Sequence, residues 1–129
     1  MQVKIDTKEK FTVVVPTEPV LSDNLAETFS QLLLPYLQND IKNIILNLQH
    51  VEKIELKAAT ELVNLQQKFY ENSASFVICC LQPAIEATLE ELELFELLNT
   101  TPTESEAWDI VQMEEIEREL LDDDEPLFR

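Results

Sequence analysis

There is no glycine anywhere in these 129 residues. That absence excludes the P-loop and the dinucleotide fingerprint, since both need backbone lying against phosphate with no Cβ in the way. Histidine is reduced to His50 and cysteine to the adjacent Cys79 and Cys80, too few for a tetrahedral metal set, so no metal site and no cofactor are expected. Two neighbouring thiols in an extended strand point to opposite faces and do not readily bond to each other. They form no disulfide framework, which suits a reducing cytoplasm. Basic residues are scarce as well, with 9 Lys and Arg against 26 Asp and Glu and a formal charge of −17. So acidic a surface repels phosphate backbones and anionic lipid heads, which makes nucleic acid and membrane surfaces poor partners. No apolar run approaches the ~20 residues of a membrane span. The opening MQVKIDTKEK carries charge where a signal peptide needs an apolar core. The expectation is a cytoplasmic protein.

The length is that of one domain, and a hydrophobic content of 45% can fill a single core. The charge is unevenly placed: residues 86–129 carry a net −14 and residues 1–85 only −3. A single domain is expected over 1–121, including a C-terminal helix at 103–121, followed by an acidic tail at 122–129. The acid pairs Glu90-Glu91 and Glu114-Glu115 read as solvated helix faces rather than ion sites. The excess of acid suits solubility or a basic patch on a protein partner.

The chain is organised around residues 43–65. Ile44, Ile45, Leu46 and Leu48 form a run with almost no alternation, the pattern of a strand covered on both faces. From Ala58 the period changes, and Ala58, Leu62, Leu65 and Phe69 mark one face of a helix. The join falls at about Ile54 to Lys57. In open α/β sheets, ligands and partners meet the protein at such joins, beyond the carboxyl ends of the strands.

Val3 and Ile5 alternate with Lys4 and Asp6, Lys8-Glu9-Lys10 makes a turn, and Phe11 to Val15 returns as a hairpin strand that Pro16 and Pro19 end. Ser22, Asp23 and Asn24 supply caps for a helix, with Asn24 and Glu27 spaced as a capping box. Leu25, Phe29, Leu32, Leu33 and Leu37 follow at helical spacing, with Pro35 expected to kink or loosen the last turn. Residues 75–81 read as a second buried strand. Gln82-Pro83 opens another helix, with Ile85, Leu89 and Leu92 inward. Glu96 to Thr100 fits a short edge strand. The last helix is expected to turn Trp108, Val111, Ile116 and Leu120 inward. The order β-β-α-β-α-β-α-(β)-α calls for an α/β fold with a mixed sheet: an antiparallel hairpin, then parallel strands joined by right-handed crossovers.

Three stretches resemble the STAS domain of the anti-sigma-factor antagonist family: VLSDNLAETFSQLL, IKNIILNLQHVEKIELKAATEL and FVICCLQPAIEATLEELELFELL. In the last, Gln82-Pro83-Ala84-Ile85 followed by Leu89, Leu94 and Phe95 matches a strand, Ser-Pro-x-Val/Ile and a final Leu-Phe stretch in that family. The resemblance covers nearly the whole chain up to the tail. It implies a STAS-like mixed sheet and a non-enzymatic protein that binds an anti-sigma factor, often a serine kinase of the histidine-kinase-like ATPase fold, in a partner-switching pathway.

Family members carry Asp-Ser-Ser-Gly-x-Gly at the start of the second helix, and the second serine takes the phosphate. The matching residues here are Glu55-Leu56-Lys57-Ala58-Ala59-Thr60. Leu56 and Lys57 replace the serines, so the acceptor position is Lys57 and no phosphorylation is expected at this loop. A phosphoserine adds ~−1.5 to −2 charge, and that switch is missing here. The candidate partner-binding residues are Ser22, Asp23, Asn24, Glu55, Leu56, Lys57, Ala58 and Thr60, with Glu55 and Lys57 close enough in sequence to pair. The alternative is a small-ligand sensor or scaffold with no sigma-factor role, marked by an enclosed cavity beside Leu56. A Cys-His nucleophile would need His50 to meet Cys79 or Cys80. Strand thiols are usually inert packing groups.

Overall fold

A computed structural model describes residues 1–122. The strands β1 (Val3–Thr7), β2 (Phe11–Pro16), β4 (Asn43–Asn47), β6 (Phe76–Cys79) and β7 (Thr100–Thr101) form one sheet in the order β1-β2-β4-β6-β7. A separate two-residue pair, β3 (Val20–Leu21) and β5 (Lys53–Ile54), runs parallel beside it. The helices are α1 (Ala26–Leu33), α2 (Leu56–Glu71), α3 (Pro83–Glu91) and α4 (Glu104–Asp122). The mixed sheet is the one expected: β1 pairs antiparallel with β2, and β2, β4, β6 and β7 are parallel neighbours.

Alternation along the parallel strands builds a core on each side of the sheet. Val14, Ile44, Leu46, Phe76 and Ile78 share one core with Phe29 and Leu33 of α1, Leu62, Leu65 and Phe69 of α2 and Ile85 and Leu89 of α3. Phe11, Val13, Ile45, Val77 and Cys79 face the other way, onto Ala107 and Val111 of α4. Every residue of β4 is buried because it lies mid-sheet with helices on both sides, which is why its sequence does not alternate.

As expected at Pro35, the last turn is loosened: the α-helix stops at Leu33 and residues Leu34–Gln38 continue as a 3-10 turn, because Pro35 has no N–H to donate to the preceding turn. Other local expectations are corrected. Phe95–Leu97 is also a 3-10 turn, and the edge strand is confined to Thr100–Thr101. Cys80 lies outside the strand with φ of 61°, so the two thiols are not on opposite faces of one ladder. Burial, then the neighbouring Cys80 and Glu104, push the Cys79 thiol above its usual value, the reverse of what a nucleophile needs.

In α4 three of the four residues expected inward are exposed. Val111 is buried, but Trp108 is 36%, Ile116 55% and Leu120 56% exposed. The second half of the helix crosses the end of the sheet where Asn43 and Ser75 are buried polar groups, and these require polar partners. Asn43 Nδ2 donates to Glu115 at 2.8 Å, and Arg118 donates to Asn43 Oδ1 and Ser75 Oγ at 3.2 Å each. Tyr70 of α2 donates to Glu114. The inward face is therefore Glu114, Glu115 and Arg118. Trp108 packs at the helix start on Phe11, ring centroids 5.1 Å apart, with Lys8 Nζ 6.0 Å above it. The acidic tail expected at 122–129 lies outside the described residues except for Asp122, the last residue of α4.

Candidate partner-binding site

Two loops run into helices at the same rim of the sheet. One enters α1 after β3, and the other enters α2 after β5. Because β3 and β5 pair, with Val20 opposite Lys53 and Leu21 opposite Ile54, the two loops are held side by side. Glu55 N–H donates to the Leu21 carbonyl at 2.9 Å, extending that ladder to the helix start.

Beyond the ladder the loops exchange side-chain bonds. Asp23 N–H donates to Glu55 Oε1 at 2.9 Å, and Lys57 N–H donates to Asp23 Oδ1 at 2.8 Å. This corrects one expectation. Glu55 serves the other loop instead of pairing with Lys57. The carboxylate that caps α2 is Asp23, from 34 residues upstream. Glu55 sits at the N-cap with extended dihedrals but makes no side-chain cap bond of its own. The macrodipole disfavours Lys57 in this first turn, and the carboxylate of Asp23 offsets it. The Asn24–Glu27 capping box does not form: Ser22 is the cap of a short 3-10 turn over Asp23–Leu25, and α1 begins at Ala26.

Asp23, Asn24, Leu56, Lys57 and Thr60 are exposed, and Ser22 and Glu55 are half-buried. Ala58 is fully buried on the inward face of α2, with Leu62, Leu65 and Phe69. Leu56 is 58% exposed at the first helical position, an apolar side chain held in water at a fixed place. The Thr60 hydroxyl is engaged, donating to the Leu56 carbonyl at 2.8 Å.

From the rim an open groove of about 760 Å³ runs between α1 and α2, past Glu27, Ser30, Glu61 and Lys68. Ser30 Oγ donates to Glu61 at 2.6 Å and ties the two helices across its floor. Neither the clasp nor the groove was readable in advance, because a two-residue strand is too short to show a period. The one available signal was the unusual pair of acids, Asp23 and Glu55, each preceding a helix.

His50 is exposed on the loop after β4, with Gln49 Nε2 3.2 Å from its Nε2. Among the described residues no group of three His, Cys, Asp or Glu side chains converges as a metal site, and no helix is long and apolar enough to cross a membrane.

The chain is thus an α/β domain: a sheet with one antiparallel edge, helices on both faces and a rim built from two clasped strand-to-helix loops. Residues 2–107 match the STAS domain, and the chain belongs to that family. Among solved structures it is similar to an anti-sigma-factor antagonist (STAS) domain protein from Planctomyces limnophilus, with 18% identity and TM-score 0.72 over 85% of this chain and 97% of that one. It is also similar to an anti-sigma factor antagonist from Mycobacterium paratuberculosis, with 15% identity and TM-score 0.73 over 86% and 93%. The phosphorylated form of the Bacillus cell fate determinant SpoIIAA superposes with 13% identity and TM-score 0.61 over 85% and 99%. At these identities the likeness establishes the fold.

Proposed function

We propose that this STAS domain is a non-enzymatic protein-binding module of the anti-sigma-factor antagonist kind, and that its rim docks an anti-sigma factor or kinase-like partner in a partner-switching pathway. The observation that carries the reading is Leu56: a leucine 58% exposed, lining one groove with Asp23, Asn24, Lys57 and Thr60, on a loop pair held by the β3–β5 ladder. An exposed apolar side chain among polar neighbours, on a backbone already fixed, leaves little loop-ordering entropy to lose on binding. With Lys57 at the acceptor position, the module is constitutively competent or regulated by other means. The small-ligand alternative is less well supported, because the space beside Leu56 is an open groove with charged walls and ligand pockets are usually enclosed and mostly apolar.

Affinity capture from the native cell with mass spectrometry tests this, using the wild-type chain and Leu56→Asp. A protein retained by the wild type and lost with Leu56→Asp is expected, and recovery of the same proteins by both overturns the reading. No phosphate is expected to map to residues 55–60 of the wild type, whereas Lys57→Ser restores a hydroxyl for a captured kinase.

A further inference from the structure

The outward face of α4 is neither part of the rim nor explained by the core. Met113, Ile116 and Leu120 are 58%, 55% and 56% exposed and recur at spacings of three and four, so they form one stripe along the helix. The buried positions Ala107 and Val111 and the inward Glu114 and Arg118 lie on the opposite side. A helix that must cover only one sheet face has no need of a second apolar ridge. Glu106, Asp109, Glu117 and Glu119 are the exposed charges beside the stripe. The one cation of the helix, Arg118, is turned inward onto Asn43 and Ser75.

We infer that this stripe is a second interaction surface, on the far side of the sheet from α1 and α2, and that its occupant is a basic amphipathic helix of another protein. The apolar ridge of that helix lies on Met113, Ile116 and Leu120, and its Lys and Arg rows meet the flanking carboxylates. Charge decides the occupant. A second copy of α4 would bring acidic rows against acidic rows in either orientation, and like charges set opposite one another disfavour a pairing. A basic helix satisfies both features of the surface at once, in the helix-on-groove manner of peptide recognition.

The test uses the full chain and a labelled helix-forming peptide of about 18 Leu and Lys residues, with Leu at i, i+3, i+4 and i+7, followed by fluorescence anisotropy. Saturable binding that weakens as salt rises is expected, with about tenfold loss of affinity for the double variant Ile116→Ser, Leu120→Ser. Glu117→Gln with Glu119→Gln, which touches no buried group, is expected to weaken binding several-fold and tests the charge component separately. Equal binding of a scrambled peptide of the same composition, or unchanged affinity in both double variants, overturns the proposal. Sedimentation velocity supports it if the free chain runs as a monomer. A dimer that Ile116→Ser, Leu120→Ser dissociates would make a second copy the occupant and sink the idea. Because the stripe is remote from Leu56, loss of one activity leaves the other measurable.

Discussion

At the scale of single residues, the absence of glycine has a structural consequence that goes beyond phosphate loops. Ser73, Cys80 and Glu93 occupy the left-handed region with φ of 59°, 61° and 60°. Two of them close helices. After α2, Ala74 N–H reaches the Phe69 carbonyl and Ser73 N–H the Tyr70 carbonyl; after α3, Leu94 N–H reaches Leu89 and Glu93 N–H reaches Glu90. Both are the doubly bonded helix terminus that normally ends in glycine. A Cβ in that region costs roughly 1–2 kcal/mol, partly returned because glycine loosens the unfolded chain. Glu93→Gly is therefore expected to raise stability by about 0.5–1 kcal/mol, read as a higher denaturant midpoint at unchanged slope. A lower midpoint would show that the Glu93 side chain has a stabilising role of its own.

Tyr70 gives a second residue-scale expectation. Its hydroxyl donates to Glu114 and accepts from Asn99 Nδ2 at 2.8 Å, and burial, then the Glu114 carboxylate, raises its pKa. An unfolded tyrosine loses its proton at about pH 10, while the folded Tyr70 keeps it to higher pH. The unfolded state thus binds fewer protons, and the contribution is complete below about pH 10 and lost as pH climbs toward the folded value. Denaturation of the wild type and Tyr70→Phe at rising alkaline pH checks this. The advantage of the wild type should shrink above about pH 10, and a constant difference would refute it.

At the scale of elements, α4 is the part least legible in advance. Its apolar residues suggested an inward face through Ile116 and Leu120, but the buried amide of Asn43 selected Glu115 and Arg118 instead. Asn43 bonds Lys10 O, Glu115, Ser75 N–H and Arg118, all at 3.2 Å or less. Asn43→Ala leaves the buried Ser75 N–H without its acceptor and frees the end of α4, so a loss of about 2–3 kcal/mol is expected in chemical denaturation. A loss below about 0.5 kcal/mol, the size of an ordinary surface change, would mean that water replaces the amide at no cost. The loops before α1 and α2 show the same dependence on a distant partner. Asp23 caps a helix that begins 33 residues later, so no local capping pattern could have disclosed it.

At the scale of the whole molecule, the formal charge of −17 sets the solution behaviour. Only two ion pairs, Lys8–Asp6 and Lys10–Glu115, form among the described residues. Most carboxylates therefore repel without compensation, which disfavours the compact state. Raising NaCl from about 20 mM to about 500 mM shortens the screening length from roughly 20 Å to under 5 Å, and the melting temperature is expected to rise. A flat or falling melting temperature in calorimetry would mean that attractive pairs dominate after all.

Composition and periodicity alone determined the hairpin, the buried strands at 43–47 and 76–79, the helices that follow them and hence the mixed parallel sheet. They did so because each element carries its own burial pattern within a few consecutive residues. Tertiary structure decided which carboxylate caps α2 and which side of α4 meets the sheet. Those outcomes depend on polar groups whose partners lie tens of residues away. A buried N–H or amide takes whichever acceptor the fold brings within reach, and no local spacing encodes that choice.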